Sequence, residues 1–269
     1  MNLTSPSQVK SWCIENGFHP NKVLGQNFLI DQNALRAIVD TGLEGNREQG
    51  TGNRVLEIGP GLGVLTEEML KRGCEVVAIE KDPVLAARLK ESLGNPEGLT
   101  VIEGDALDVL SVPCSPFPVP SLSISNLPYQ AGTRILLDLV KTRELKSMTV
   151  LVQTEVAERL AAREGSKTRG LAGVWAQLDY DVRIVRKVAA SCFWPRPEIG
   201  SSVVRLDRHD RNLALSGEER KFFHRLTKRA FEHRRKQLGS IFKDMIQSTA
   251  RAEELSNEDW INLVKELAK

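Results

Sequence analysis

Arg54-Val55-Leu56-Glu57-Ile58-Gly59-Pro60-Gly61-Leu62-Gly63 is the stretch whose reading decides the fold. Val55, Leu56 and Ile58 form a short apolar run, the pattern of a buried parallel strand. Glycines follow at 59, 61 and 63, and Val64 to Arg72 then carries Leu65 and Met69 on one helical face. Lys71 and Arg72 fall in the last turn, where cations suit the helix dipole, and Gly73 is a stop signal. The glycines therefore lie between a strand and a helix N-terminus, where backbone can approach a ligand closely.

Their spacing selects the ligand. A dinucleotide fingerprint sets glycines first, third and sixth so that a pyrophosphate seats on the helix. Here the third glycine comes one residue early, Val64 holds the sixth position, and Glu57 sits inside the strand end. A carboxylate there repels a phosphate but can hold an ammonium group, such as the amino-acid part of S-adenosylmethionine (SAM). A tight turn in some other α/β protein fits the glycines as well. The next strands bear on the choice. Glu75-Val76-Val77-Ala78-Ile79-Glu80 is apolar and ends in a carboxylate, which can accept both ribose hydroxyls of an adenosine. Asp82 caps the helix that follows, with Pro83 at its first position. A further strand, Leu99 to Glu103, ends in Gly104-Asp105-Ala106-Leu107, where Asp105 can accept from an adenine amino group. Any one of these acids alone reads as a cap or a solvated charge; three successive strand ends with the right group point to SAM.

Bulk properties narrow the class. The 269 residues suffice for one large domain and a small one. With 37 Lys+Arg against 35 Asp+Glu, a nucleic-acid partner must be read from local clusters and not from net charge. Cys13, Cys74, Cys114 and Cys192 are scattered without a CxxC, which suggests neither a zinc site nor a disulfide framework and fits a reducing cytoplasm. No signal-like start and no membrane-length apolar run is present, so a soluble cytoplasmic protein with no membrane partner and no metal is expected.

Along the chain, Ser5-Pro6 opens a short helix stopped by Gly17, and Asp31 caps a second one bearing Leu35, Ile38 and Val39. Between them His19 to Leu29 is polar at its centre and apolar at its end. Gly45 to Asn53 and the proline-rich Ser111 to Pro120 read as loops, and Pro113-Cys114 within the latter as incidental. Strands are expected at 121–125, 148–153, 182–188 and 201–206, with helices at 133–140 and 154–162 and a basic, mobile loop at 163–173. Near Asp207 the alternation of strands and helices gives way to helices alone. The expected organisation is a Rossmann-like α/β methyltransferase domain over 1–207 and a small all-helical domain over 208–269. In the latter, Ser216 and Ser256 start helices, and Leu238, Ile241, Phe242 and Met245 form one of the apolar stripes.

The tetrapeptide Asn126-Leu127-Pro128-Tyr129 closes the strand at 121–125. In open α/β sheets, ligands bind beyond the carboxyl ends of the strands. An exocyclic amine is a poor nucleophile because its lone pair is delocalised into the ring. The Asn126 side-chain oxygen and the Leu127 or Pro128 carbonyl can accept its two hydrogens and localise that pair. Tyr129 offers a stacking face, and Phe193, in Phe193-Trp194-Pro195-Arg196-Pro197, can close the other. A base reached this way is single-stranded or flipped.

With these residues together, the chain resembles the KsgA-type ribosomal RNA adenine dimethyltransferases. The likeness rests on Gly25-Gln26-Asn27-Phe28-Leu29, Glu57 to Gly63, Glu80, Gly104-Asp105-Ala106, Asn126 to Tyr129, Phe193 to Pro197, Ser201-Ser202-Val203-Val204 and the tail around Arg234-Arg235-Lys236. It implies a Rossmann-like SAM-dependent sheet with a helical RNA-binding tail. It also implies dimethylation of two adjacent adenines in a hairpin loop near the 3′ end of small-subunit rRNA, on a pre-30S particle, by a monomer. The expected SAM contacts are Asn27, Leu29, Glu57, Gly59, Gly61, Glu80, Asp105, Ala106 and Asn126. The expected RNA contacts are Arg163, Arg169, Arg234, Arg235 and Lys236, beside Lys228 and Arg229; a solvated helix face is the plainer reading of such a charge run. Gly200, where the family usually has Asp, and Arg169 to Val174, where it usually has Tyr-Gly-Arg-Leu-Ser-Val, depart from the pattern. Erm-type methyltransferases of large-subunit rRNA resemble the chain at the SAM site but more often carry Asn-Ile-Pro. A non-catalytic RNA-binding assembly factor is the rival from another class.

Overall fold

The computed structural model describes residues 1–45, 53–110, 118–209, 211 and 215–268. The loop at 46–52 and the pair Pro113-Cys114 lie outside the described residues. Packing divides the chain into two units, Met1–Ala157 with Arg183–Asp207, and Glu158–Val182 with Arg208–Lys269. One division between the units falls after Asp207. The stretch Glu158–Val182, expected in the first domain, clusters with the C-terminal helices instead.

In the first unit, α1 (Pro6–Glu15) leads through a turn to β1 (Phe28–Leu29) and α2 (Gln32–Leu43), capped by the Asp31 carboxylate on Ala34 N. The organising strand β2 (Arg54–Ile58) runs into α3 (Val64–Lys71). Gly63, at φ +90°, caps that helix, and a Cβ there would lie 2.7 Å from Leu89 Cδ1. Then come β3 (Glu75–Glu80), α4 (Pro83–Ser92), β4 (Leu99–Glu103), the short α5 (Ala106–Val109), β5 (Leu122–Asn126), α6 (Gly132–Lys141), β6 (Ser147–Gln153) and the first half of α7 (Thr154–Ala161), whose second half belongs to the other unit. Asp82 accepts from Val84 N and Leu85 N, as a cap before Pro83 should.

The chain continues through α8 (Leu171–Asp179), β7 (Tyr180–Val188), β8 (Phe193–Trp194), β9 (Ser201–Arg208), α9 (Gly217–Glu232), α10 (Leu238–Phe242) and α11 (Asn257–Leu267). The sequence reading missed α8, because Gly170 and Gly173 look like breakers. Gly173 serves packing: a Cβ on it would lie 2.4 Å from the Arg159 carbonyl. The expected mobile loop is thus shorter, and hydrogen bonds from Ser166 N to Arg163 O and from Arg169 N to Ser166 O fold it on itself.

The main sheet has the order β4-β3-β2-β5-β6-β9-β7. Strands β2 to β6 pair in parallel, and β9 runs antiparallel to β6, with Gln153 opposite Ser201 and Ser147 opposite Asp207. Successive strands go one way from β2 to β4 and the other way from β5, so the β2–β5 junction is the topological switch point. The two strands are in register only at Val55–Leu122 and Leu56–Ser123. Beyond that, Ile58 N donates to the buried Ser125 Oγ at 2.9 Å in place of a backbone carbonyl, and the crevice opens at the carboxyl ends. The core of this unit gathers Val9, Ile38, Val55, Leu65, Met69, Val76, Ile124, Leu151 and Val203. Arg205, buried on β9, donates to the Thr41 and Gly42 carbonyls at the end of α2 and pairs with Asp207.

The second unit has its own core of Val174, Leu178, Phe223, Leu226, Leu238, Phe242, Trp260 and Val264. Ser216 and Ser256 each close a capping box at the start of α9 and α11. Met245, expected in an apolar stripe, is 52% exposed. The helix α10 ends at Phe242, Lys243 turns through φ +35°, and Ile246 takes the buried position.

Candidate active site

A cavity of about 360 Å³ opens at the carboxyl ends of β2 to β5. Every expected SAM contact lines it, as do Leu127, Pro128 and Tyr129. Two backbone features make this possible. Gly61 sits at φ +60° with Phe28 so close that a Cβ would lie 3.0 Å from the ring. Gly25, at φ +66°, lets the entering segment lie on the 128–130 turn, since a Cβ there would be 3.1 Å from Tyr129 N. The antiparallel pair β1–β8, with Phe28 opposite Trp194 and Leu29 opposite Phe193, fixes that segment in place.

The acids at the strand ends occupy different environments. Glu57 is 1% exposed and accepts the Thr66 hydroxyl at 2.6 Å. Burial pushes its carboxyl up to about 8; the Thr66 bond pulls it down, and nearby Glu80 pushes it further up. Glu80 accepts Gly61 N at 3.0 Å and Asp82 N at 2.9 Å, tying the glycine turn to β3. Burial raises its pKa against those bonds. Asp105 caps α5 through Leu107 N and pairs with Lys81 at 2.7 Å, which holds its carboxyl below the usual range. Gln26 Nε2 reaches Asp82 at 2.8 Å, a link between the entering segment and α4 that sequence reasoning did not foresee.

Asn126 ends β5 with its amide oriented. Its Nδ2 donates to the Asn27 carbonyl at 3.1 Å, which can only accept, so the Oδ1 faces the other way. That oxygen is buried and has no protein partner among the described residues. An unmatched buried acceptor is costly unless something fills the role. The Pro128 carbonyl already accepts Gly132 N at 2.7 Å, which leaves the Leu127 carbonyl the freer of the two expected acceptors.

Tyr129 donates to or accepts from Ser201 Oγ at 2.6 Å, and burial raises its phenol pKa, so it stays neutral. Phe193 meets it edge-on, with centroids 6.3 Å apart. The expectation that Phe193 offers the second stacking face is corrected here: it is 2% exposed in the core, does not line the cavity, and buttresses Tyr129. The Gly200 departure sits next to this pair; a Cβ there would lie 3.2 Å from the Val188 carbonyl.

In the helical unit, Arg163, Lys167, Lys228, Arg229, Arg235 and Lys236 are exposed. Arg234 donates to the Lys167 carbonyl and pairs with Glu253 at 3.5 Å. Gly165 N donates to the Glu253 carbonyl at 2.8 Å, so residues 163–168 are gathered with 234–236. Arg169 is a second correction. Expected at RNA, it is 1% exposed and donates to the Ala162 carbonyl, Gln177 Oε1 and Asn257 Oδ1. Its guanidinium staples the loop to α8 and α11, which removes it from any phosphate. Among the described residues no three His, Cys, Asp or Glu side chains gather as metal ligands, and Cys13, Cys74 and Cys192 are free.

A switch-point cavity with an acid at each of three successive strand ends, and an Asn-Leu-Pro-Tyr turn beside it, defines a Rossmann-like methyltransferase of the SAM-dependent class. Solved structures agree on the fold. A dimethyladenosine transferase from Plasmodium falciparum superposes with a TM-score of 0.73 at 23% identity, covering 89% of this chain and 97% of that one. The 23S rRNA methyltransferase ErmE does so at 0.67 and 23%, covering 90% and 100%. Among curated relatives, the ribosomal RNA small subunit methyltransferase A of Deinococcus radiodurans is 44% identical over 76% of this chain and 67% of its own length. Its namesake from Alkaliphilus oremlandii is 34% identical over 99% and 98%. The model of the family described as ribosomal RNA adenine dimethylase matches residues 17–269, and the chain belongs to that family.

Proposed function

We propose that this chain uses SAM to dimethylate N6 of two adjacent adenines in a hairpin loop near the 3′ end of small-subunit rRNA. The observation that carries the reading is Asn126: an oriented carboxamide whose buried oxygen lacks a partner, at the mouth of a cavity lined by Glu57, Glu80 and Asp105. The residues fit the cofactor. Glu57 takes the ammonium group, Glu80 the ribose hydroxyls and Asp105 with Ala106 the adenine edge, while Gly59 and Gly61 allow close backbone approach. Asn27 and Leu29 cover it from the entering segment. When bound, SAM supplies a methyl group on a positively charged sulfur.

The remaining chemistry is positioning. Asn126 Oδ1 and the Leu127 carbonyl accept the two N6 hydrogens and turn the nitrogen lone pair toward the methyl carbon. Tyr129 stacks the base. SAM held in the cavity would supply the methyl group to that nitrogen, the carbon–sulfur bonding pair leaving on sulfur. The charged amine then loses its proton to water, so no tuned general base is required. Acceptors at N6 strengthen as positive charge develops there, which is where preorganised groups lower a barrier most. A second cycle on the same nitrogen completes the dimethyl product.

Arg163, Arg234, Arg235 and Lys236 contact RNA phosphates, the substrate being a pre-30S particle met by the monomer in the cytoplasm. No helix among the described residues is long and apolar enough to cross a membrane. Labelled-methyl transfer to purified small and large subunits lacking the modification tests the reading. Label in adjacent adenines of the small-subunit rRNA is expected; label confined to the large subunit would reassign the substrate.

A further inference from the structure

The strand β9 enters the sheet antiparallel, so its first residue, not its last, lies at the carboxyl-end edge where the cavity opens. That residue is Ser201, opposite Gln153, and it is fully buried. Its hydroxyl meets the Tyr129 hydroxyl at 2.6 Å. The neighbouring bonds hold the strand end still: Thr154 N donates to the Gly200 carbonyl at 3.0 Å, and Thr154 Oγ1 meets Ser202 Oγ at 3.1 Å. On the other side Phe193 buttresses the Tyr129 ring edge-on. Tyr129 is thus held at its hydroxyl and against the Phe193 ring, and it also lines the cavity.

We propose that Ser201 is a positioning residue for the acceptor base: its hydrogen bond fixes the plane of the Tyr129 ring, and that plane sets the attitude of the adenine stacked on it. The inference rests on the reading of Tyr129 as the base-stacking residue. Asn126 and the Leu127 carbonyl fix N6 at two points, but a base held only by hydrogen bonds along one edge can still rock about that edge. A ring of fixed tilt removes the rocking, and the lone pair then stays in line with the methyl carbon. Loss of alignment lowers the rate of the chemical step more than it lowers binding. Ser201 touches neither SAM nor RNA and acts entirely through Tyr129.

The test is a double-substitution cycle on Ser201→Ala and Tyr129→Phe, read in single turnover at saturating SAM and RNA. Both changes remove the same hydrogen bond and keep a ring. Each should slow methyl transfer about five- to tenfold, the range of one buried hydrogen bond, and the double variant should be no slower than either single one. SAM affinity should be unchanged, and Ser201→Thr should restore most of the rate. With 2-aminopurine in place of the target adenine, the stacked-base quench should weaken in Ser201→Ala, while the thermal midpoint moves little. Multiplying losses, or a wild-type rate in Ser201→Ala, would overturn the positioning role. Tyr129→Ala separates the two levels. If it leaves quench and rate intact, the stacking reading itself fails; if it abolishes both while Ser201→Ala is normal, only the role of Ser201 fails.

Discussion

Glu57 and Glu80 are 1% and 6% exposed in the strand-end cavity, whereas Arg163, Arg235 and Lys236 of the helical unit stand in solvent. The first pair is held in a low-dielectric setting that disfavours its charge, and the fold retains it there at a cost in stability. The second group bears its charge in water at little cost. Buried charge marks a site built for a small ligand with matching atoms. Exposed, clustered charge suits a large polyanion whose phosphates can be met in several ways. Substitutions in the two regions should therefore fail differently: by lost chemistry or lost cofactor in one, by altered salt dependence in the other.

The largest effect is expected at Asn126. Asn126→Ala removes the unmatched Oδ1 and the bond to Asn27. Methyl transfer at saturating substrates should fall by about two to three orders of magnitude, with RNA binding nearly unchanged. If single-turnover rates stay within a few-fold of wild type, Asn126 does not activate the amine. Next comes Glu80→Ala. Removing the proposed acceptor of the ribose hydroxyls should weaken SAM binding by about 1–3 kcal/mol, measured by calorimetry. Because Glu80 also holds Gly61 N and Asp82 N, the thermal midpoint should drop as well.

Glu57 gives the sharpest view of what a buried acid costs. In the free protein its carboxyl is raised to about 8. An ammonium group needs the carboxylate, so SAM binding below about pH 8 must release a proton. Affinity should fall by up to roughly tenfold per pH unit as pH drops below that point. Calorimetry in two buffers of different ionisation enthalpy reads the released proton directly; equal heats would remove Glu57 from the ammonium site. The stability sign is opposite. The unfolded chain gives up this proton near its ordinary value of 4.5, while the folded chain keeps it to about 8. The stabilising contribution is thus full below the lower value and is lost as pH rises through the higher one. Glu57→Gln should raise the thermal midpoint at pH 8, leave it alone at pH 4, and abolish the proton release.

The pocket was largely legible in the sequence, and the reason is geometric. Strand ends in a parallel sheet must meet at one edge, so a carboxylate closing β3 or following β4 has its location fixed once the strands are recognised. Asn126 to Tyr129 followed from the same rule. What could not be read was the fate of side chains in loops. Arg169 looked like its basic neighbours, yet a three-acceptor cage formed by Ala162, Gln177 and Asn257 takes it inside. Two of those partners are in other elements, and Asn257 lies 88 positions along the chain. Phe193 was misjudged for a similar reason, since only its pairing with Leu29 shows that it lies in the core. The helix α8 was hidden because glycine signals a break locally but close packing globally, as the Arg159 carbonyl beside Gly173 demonstrates.

The smallest effects separate the arginines from one another. Arg235 is exposed, Arg234 is half-buried against the Lys167 carbonyl and Glu253, and Arg169 is enclosed. An arginine at a phosphate releases counterions on binding, so neutralising Arg234 and Arg235 together should flatten the slope of log affinity against log salt by about 0.7 to 0.9 for each phosphate left without its cation. The change at any one salt concentration is only several-fold, which is why the slope is the better readout. Arg169→Met should behave in the other way. It leaves the Ala162 carbonyl, Gln177 and Asn257 without their shared donor, so the midpoint of denaturant unfolding should fall by the equivalent of about 1–3 kcal/mol, with the salt slope of the folded protein unchanged. Should Arg169→Met flatten the slope while stability holds, the buried staple is not how this residue acts in solution. Should the Arg234 and Arg235 pair lower stability and leave the slope alone, the gathered cations are a solvated face, and the contrast between the two regions collapses into one of burial alone.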